Sequence, residues 1–557
     1  MIPRGLPYDE AMRRFRWSVP ERFNIGRAVC ERHEPNTLAM IVENADGSVR
    51  HWTFGQLLAA SSRLANVLVA RGIKKGDRIA VFLSQSAELT ICHLAGYRMG
   101  AVVLPLFTLF GEEALEYRMS NAGASALITD MSQLPKVLAV RERLPQLETI
   151  VVIGAGKDGA AFLDWDRQLT AASDSFKTVD THAEDPALLI YTSGTTGQPK
   201  GALHAHRMMI GCIPAVEQML SHWPRGNEIM WTPAEWAWIA GLYDALFPAW
   251  YYGTPVLAHR FAKFDPERAF AMLAKHRVGV SFIPPTALKM MRQVDRPRAR
   301  WDYDIRALFT GGEAMGEELL AWGRETFGTT ISEGYGQTEM NLMTLNSPEW
   351  FEVRPGSCGR ACPGRKVAIV DGEGRVLPPG EEGQIAGWRH DPIVMLEYWR
   401  NPEATARKYA GDWLLTGDLG RIDEDGYVYF KSRDDDVITS GGYRIGPGEI
   451  EECLMKHPAV AMVGVVGIPD TVRTEIVKAF VQLRPDVAPS EALKADLAAH
   501  VKTRLAAHEY PREVEVVTDL PLTTTGKIMR RELRRLDAER KGLGSAPEAP
   551  STSAPRI

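Results

Sequence analysis

Short aliphatic runs alternate along the chain with longer stretches in which apolar positions recur every three or four residues. "RIAVFL", "SALIT", "TIVVI" and "PALLIYT" read as buried strands, and "TFGQLLAASSRLANVLVARG" reads as an amphipathic helix. Alternation of this kind predicts α/β layers. Near Gly426 the pattern changes to "GYVYFKSRDDDVITSGGYRIGPGEIEECL", dense in glycine and charge, and a shorter α+β pattern follows. We therefore expect a large α/β domain of several subdomains over residues 1–432 and a small α+β domain over 433–540. The last stretch, "KGLGSAPEAPSTSAPRI", has no periodicity and is expected to be a disordered tail over 541–557.

Composition narrows the function classes. At 557 residues there is ample chain for a sizeable core, and 45% hydrophobic with 24% charged residues is the balance of a soluble globular protein. A formal net charge of -5 argues against a nucleic-acid surface. The N-terminal stretch lacks an apolar core followed by a cleavage site, and "MGAVVLPLFTLFG" is too short to span a bilayer, so no membrane segment is expected. Cys30, Cys92, Cys212, Cys358, Cys362 and Cys453 are sparse, which suits a reducing compartment and a cytoplasmic location.

One loop carries chemistry on its face. In "YTSGTTGQPKG", Gly194, Gly197 and Gly201 let backbone N–H groups turn inward, Thr192, Ser193, Thr195 and Thr196 add hydroxyls, and Lys200 adds a charge. That surface suits phosphate oxygens. It is not a Walker A loop, because Pro199 stands where the second glycine is required. Two further patterns compete for attention. "IVVIGAGKDG" contains the G-x-G-x-x-G of a dinucleotide site (Gly154, Gly156, Gly159), but no second strand ending in an acidic residue follows. Cys358 and Cys362, with His204 and His206, lack zinc spacing and read as core or loop residues.

The phosphate-type loop resembles that of the AMP-forming acyl-CoA synthetases, closest to the medium-chain members. "TPAEWAWIAGLYDALFPAW", "TGGEAM", "EGYGQTE", "LLTGD", "KSRDDDVITSGGYRIGPGEIE" and "PLTTTGKIMRREL" follow in family order over roughly residues 30–540. The resemblance implies an N-terminal adenylation domain and a mobile C-terminal domain. It implies ATP, Mg²⁺ and coenzyme A as reactants or cofactors, a carboxylic acid as substrate, and a place in fatty acid metabolism. It also implies roles. Thr192, Ser193, Gly194, Thr195, Thr196, Gly197 and Lys200 would hold the β- and γ-phosphates, Glu339 would bind Mg²⁺, and Thr338 would bond the α-phosphate. Gly312, Glu313, Glu333, Gly334 and Tyr335 would frame the adenine, Gly336 and Gln337 would also bind ATP, and Asp418 and Arg433 would hold the ribose. Lys527 would neutralise charge developing between substrate carboxylate and α-phosphate.

For the second half-reaction Asp435 would be the hinge. Gly441, Gly442, Tyr443 and Arg444 would line the coenzyme A tunnel, with Arg473 and Lys502 toward its phosphates. Trp238, Ile239, Ala240, Leu242, Gly311 and Gly336 would form the acyl pocket. Acetyl-CoA synthetases carry tryptophan and valine where this chain has Gly336 and Gly311, so an acid larger than acetate is expected: medium-chain, branched short-chain or aromatic. Met340-Asn341-Leu342 departs from the Thr-Gly that commonly follows "QTE" in medium-chain enzymes. The P-x-x-x-x-G-K pattern at Pro521–Lys527 further implies a lysine acetyltransferase and deacetylase acting on Lys527. A free-standing enzyme loading a carrier protein, a luciferase-like activity and a non-catalytic nucleotide-binding module are the alternatives. The module would be expected to lose Lys527, Glu339 or Asp418.

Overall fold

The computed structural model describes residues 1–541 apart from residues 3, 193–197, 222, 227, 313–314, 316, 434–437, 507 and 522–527. The chain divides into two compact units, a large one over Met1–Thr192 and Pro199–Asp435 and a smaller one formed by the chain from Asp436 on. Of the tail expected from residue 541, all beyond Lys541 lies outside the described residues.

The large unit holds three sheets. In an eight-stranded sheet, Pro186–Thr192, Val102–Pro105, Arg78–Phe82, Ala124–Asp130, Thr149–Ile153 and Leu163–Asp164 run parallel, and Lys200–Ala205 and Glu397–Tyr398 add an antiparallel edge. Four residues of Arg78–Phe82 are buried in succession, the mark of a strand covered on both faces. A nine-stranded sheet contains Val280–Phe282, Ala307–Gly311 and Ser332–Gln337 in parallel, then turns antiparallel through Asn341–Leu345. A five-stranded sheet includes the antiparallel neighbours Gly383–Trp388, Trp413–Ile422 and Val428–Arg433.

Local chemistry starts and stops the helices. Helix Phe54–Ala70 opens on a reciprocal capping box between Thr53 and Gln56. Helix Ala87–Met99 begins on a Ser86 cap, ends at left-handed Gly100, and is buried at twelve of its thirteen positions, so no polar face betrays its register. Its Arg98 is 2% exposed yet satisfied by Thr178, Ser61, Ser62 and the Phe176 carbonyl. The G-x-G-x-x-G segment lies beyond Thr149–Ile153, with Gly154 and Gly156 left-handed, and leads into edge strand Leu163–Asp164 instead of opening a helix.

The small unit is a five-stranded sheet in which Val460–Asp470 and Thr474–Leu483 form a long hairpin, with helices Pro447–Met455, Glu491–Arg504 and Arg530–Arg540. Lys478, 5% exposed, meets Asp537 at 2.6 Å and Glu515 at 2.7 Å, which ties the last helix to the sheet. Among the described residues no helix is long and apolar enough to cross a membrane.

Arg365 and Asp391, each 3% exposed, form an ion pair at 2.6 Å inside the large unit. Removing one member leaves an unpaired buried charge, at a cost of about 3–5 kcal/mol. Arg365→Gln and Asp391→Asn should each lower the unfolding free energy of the large unit, read from urea titration, by that order, and the double variant should lose less than the sum; additive losses would show that the two charges are uncoupled.

Candidate functional site

The strands that flank the sequence-marked loop pair antiparallel with each other. Thr192 lies opposite Lys200 in the antiparallel pairing of Pro186–Thr192 with Lys200–Ala205, and its hydroxyl donates to the Lys200 carbonyl at 3.4 Å. Ser193, Gly194, Thr195, Thr196 and Gly197, between them, lie outside the described residues, as do Glu313, Asp435 and Lys527.

Strand Lys200–Ala205 meets the "QTE" motif through a residue that sequence reading did not single out. Tyr398 sits opposite Ala202 on the edge strand, and its hydroxyl donates to Glu339 Oε1. Its ring lies 5.6 Å from Lys200 Nζ, and the Met395 N–H donates to the Glu339 carbonyl at 2.8 Å. Lys200 and Glu339 are thus brought together by an aromatic residue between them. Glu339 is 8% exposed.

Thr338 and Glu339 occupy the tight turn joining Ser332–Gln337 to Asn341–Leu345, closed by a Met340 N–H donating to the Gln337 carbonyl at 3.1 Å. Upstream in the same strand, the Tyr335 hydroxyl donates to Asp418 Oδ2 at 2.7 Å, so the candidate adenine and ribose residues touch directly. Burial and the Asp418 carboxylate push the Tyr335 hydroxyl well above its ordinary range, which keeps it a donor. Asp418 stands in register with Arg433 across neighbouring strands, so the backbone alone fixes that pair. The side chains of Arg433 and Arg444 lie outside the description. Gln337 donates to the Thr416 carbonyl at 3.0 Å and accepts from Lys408 at 2.9 Å, so it braces the site through "LLTGD". Burial pushes Glu333 up to about 7, against a bond from the Met315 N–H.

Trp238, Ile239 and Ala240 are half-buried, whereas Leu242 is wholly within the core. Trp238 packs against Phe107 and Phe110 at 5.8 and 6.5 Å, beside a cavity of ≈ 10 Å³ also lined by Arg118 and Tyr191, room for a single water at most. The two wall glycines have a reason the sequence did not reveal. A Cβ on Gly336 would stand 1.8 Å from the Asn341 carbonyl oxygen, and one on Gly311 2.8 Å from the Gly334 carbonyl oxygen. Both let strands close in, so neither leaves a void at its own Cβ. Gly312 is exposed and left-handed, with φ 94°.

His204, beside Thr338 and Glu339, is pushed down to about 4 by burial, and His206 to about 3. Burial pushes the Cys358 and Cys362 thiols up to about 12 and about 11. These four are neutral core groups.

In the small unit, Gly441 and Gly442 take φ 61° and 81° at the turn between Ile438–Ser440 and Tyr443–Ile445. Two successive left-handed residues there favour glycine. The Gly441 N–H donates to the Arg473 carbonyl at 3.0 Å, and Tyr443 stacks on His508 at 4.0 Å. Burial and the nearby Arg512 lower the Arg473 guanidinium. Arg512 donates to the Tyr510 hydroxyl at 3.1 Å, and Lys502 lies 5.4 Å from the same ring. Arg473, Lys502 and Arg512 thus form a cationic group around Tyr510, of which only the first two were expected. The signal available in the sequence was the mixed aromatic and basic string "HEYPR".

The description "AMP-binding enzyme" matches residues 27–399, and "AMP-binding enzyme C-terminal domain" matches 449–527. The chain is 34% identical to the acetyl-coenzyme A synthetase of Bacillus subtilis over 95% of its length and 94% of that protein's. It is 35% identical to human acyl-coenzyme A synthetase ACSM5, mitochondrial, over 94% and 92% respectively. Among solved structures, the anthranilate CoA ligase AuaEII in complex with anthranoyl-AMP superposes with a TM-score of 0.71 at 29% identity, covering 94% of this chain and 99% of that one.

Glu333 gives a pH signature. Its carboxyl is raised in the folded protein from 4.5 to about 7, so the folded state holds a proton that the unfolded state releases. The associated stability is fully present below pH 4.5 and is lost as pH rises to about 7. Wild type should lose about 3 kcal/mol relative to Glu333→Gln across that window. Parallel pH profiles of the two in denaturant unfolding would remove Glu333 as the cause.

Proposed function

The chain belongs to the AMP-binding enzyme family and is an AMP-forming acyl-CoA synthetase, and from that premise we propose how its residues divide the work. Enzymes of this kind use ATP, Mg²⁺ and coenzyme A to join a carboxylic acid to a thiol. In the first half-reaction a carboxylate oxygen attacks the α-phosphorus, acyl-AMP forms and pyrophosphate leaves. In the second the thiol sulfur attacks the acyl carbon and AMP leaves.

A carboxylate is ionised at neutral pH, so the first step needs alignment and charge neutralisation in place of a general base. The loop Thr192–Lys200 holds the β- and γ-phosphates, Thr338 bonds the α-phosphate, and Tyr335 and Asp418 frame adenine and ribose. The single observation supporting this division is convergence: Tyr335 donates to Asp418, while Glu339, four residues on, meets the Lys200 strand through Tyr398. Glu339 suits Mg²⁺ by donor chemistry, being a carboxylate with one oxygen already oriented by a tyrosine hydroxyl. When bound, the ion neutralises phosphate charge. Lys527 neutralises the charge developing at the α-phosphate and is the acetylation target; its modification would silence adenylation. Arg473, Lys502 and Arg512 take the phosphates of coenzyme A, with the small unit turning about Asp435 between half-reactions.

The acid is larger than acetate. The support for this is precedent among similar enzymes, since the Gly336 Cβ direction is filled by the Asn341 backbone and adds no space of its own. Each methylene buried on Trp238, Ile239 and Ala240 then adds roughly 0.8 kcal/mol. AuaEII, as a ligase for anthranilate, is a precedent for an aromatic acid on this framework. Six free cysteines, all buried, support the cytoplasmic placement.

Pyrophosphate release measured with acetate, butyrate, isobutyrate, hexanoate, octanoate and benzoate, with and without coenzyme A, should peak above acetate and require coenzyme A for turnover. Acetate as the best acid would refute the pocket reading. Adenylation indifferent to coenzyme A would identify a carrier protein as acceptor.

The half-reactions separate the residues. Lys527→Ala should abolish acyl-AMP formation and leave thioester formation from supplied acyl-AMP largely intact. Arg512→Ala should do the reverse, raising KM for coenzyme A about tenfold for one lost charged bond. Equal loss of both steps in either variant would refute the assignment.

A further inference from the structure

Both ends of the phosphate-type loop are held by one helix that no motif marks. Helix Glu112–Ala122 ends at left-handed Gly123. Its Tyr117 and Asn121 stand four positions apart and so share a face. The Tyr117 hydroxyl donates to the Pro199 carbonyl at 3.1 Å, on the residue just ahead of Lys200. Asn121 Oδ1 accepts from the Tyr191 hydroxyl at 2.6 Å, on the residue just ahead of Thr192. The rings of Tyr117 and Tyr191 meet edge to face at 6.3 Å, so the two contacts form one patch. Burial holds the Tyr191 hydroxyl above its ordinary range, and it remains a donor.

The helix is itself anchored on the side of the sheet and on the side of Glu339. Arg78, from strand Arg78–Phe82, donates to the Ala122 carbonyl at 2.9 Å and to the Gly123 carbonyl at 2.7 Å, taking up acceptors that a helix end leaves free. The Trp399 indole N–H donates to the Asn121 carbonyl at 3.1 Å, and the Trp399 backbone N–H to the Gly201 carbonyl at 2.7 Å. Trp399 follows Tyr398, whose hydroxyl reaches Glu339. Asn121 thus joins, through its side chain and its carbonyl, the strand before the loop and the segment that meets the magnesium candidate. Glycine loses more conformational freedom on ordering than any other residue, so a glycine-rich loop binds a ligand more tightly when its stems are fixed beforehand.

Resting on the acyl-CoA synthetase reading, in which this loop receives the phosphates of ATP, we propose that Tyr117 and Asn121 are positioning residues: helix Glu112–Ala122 clasps both stems of the loop and presets their separation for the β- and γ-phosphates. Both act through Pro199 and Tyr191.

The test uses the full-length protein with Mg²⁺ and the best acid of the panel above. Tyr117→Phe and Tyr191→Phe each remove one hydroxyl bond and keep the ring contact. Each should raise the KM for ATP about fivefold, the worth of one net hydrogen bond, with the KM values for acid and coenzyme A and the rate of thioester formation from supplied acyl-AMP changing less than about twofold. A role in packing alone would lower stability without moving the KM for ATP apart from the other two. Either variant stands as the test if the other does not fold. Titration of ATP with Mg²⁺ into wild type and variants reads the same fivefold in Kd without turnover. A KM and Kd for ATP unchanged in the variants, or equal rises for all three substrates, overturns the clasp and leaves the ligase reading intact. Wild type that turns over no acid with coenzyme A overturns the ligase reading, and the titration then decides the clasp. Wild type that binds no ATP overturns both.

Discussion

The large unit hangs on what one guanidinium does in the dark. Arg365 donates through three nitrogens to three separate segments: to Asp391 at 2.6 Å, to the Gly211 carbonyl of helix Met208–Met219 at 2.6 Å, and to the Leu342 carbonyl at 3.1 Å. The fork is planar and rigid, so those three acceptors are fixed relative to one another. Leu342 pairs with Gly336, and Asp391 in turn accepts from the Ile393 N–H at the start of the run that ends at Tyr398. The positions of the "QTE" turn and of Tyr398 therefore both trace to this ion pair. A lysine could not span three directions in this way.

Around that anchor the site follows a topological rule. Thr192 and Gln337 each end a strand with a parallel partner on one side and an antiparallel one on the other, and Gly311 ends a strand with parallel partners on both sides. The carboxyl ends of parallel strands are where an open α/β sheet exposes backbone for ligands. The antiparallel partners added there are Lys200–Ala205 and Asn341–Leu345, and the short turn before the second carries Thr338 and Glu339. Sharp reversal and functional placement have one origin. Gly336 and Gly311 belong to the same economy: close strand approach is what the missing Cβ permits.

Much of this was legible in the sequence because it is local. Strands such as Arg78–Phe82 and Pro186–Thr192 announce themselves as continuous apolar runs, and the motif strings preserve their spacing. What escaped is what depends on register between distant segments. Tyr398 matters only because Glu397–Tyr398 pairs with the Lys200 strand almost two hundred positions away, and nothing in "LEYWR" marks it. His508, Tyr510 and Arg512 gain meaning only beside Tyr443 and Arg473. The glycines were read as space, when their neighbours fill it. Asp244 sits in a run of aliphatic and aromatic residues where periodicity predicts core, and no local pattern reveals that Asn341 hydrogen-bonds to it.

The handling of carboxyl groups ties these features together. A site for a nucleotide triphosphate must limit its own negative charge, since unscreened like charges in a low-dielectric cleft repel strongly. Two carboxylates here, Asp418 and Glu339, each receive a tyrosine hydroxyl, from Tyr335 and Tyr398, which spreads and orients their charge without adding a competing cation. Glu333 and Asp244, which receive no such tyrosine donor among the described bonds, are instead raised by burial to about 7 and about 8, so that near neutrality they carry less charge than free carboxylates. Lys200 Nζ lies 5.6 Å from the ring of Tyr398, whose hydroxyl is bonded to Glu339. Under the proposed division of work, tyrosine in place of arginine or lysine at those two positions leaves Lys200 for the ligand.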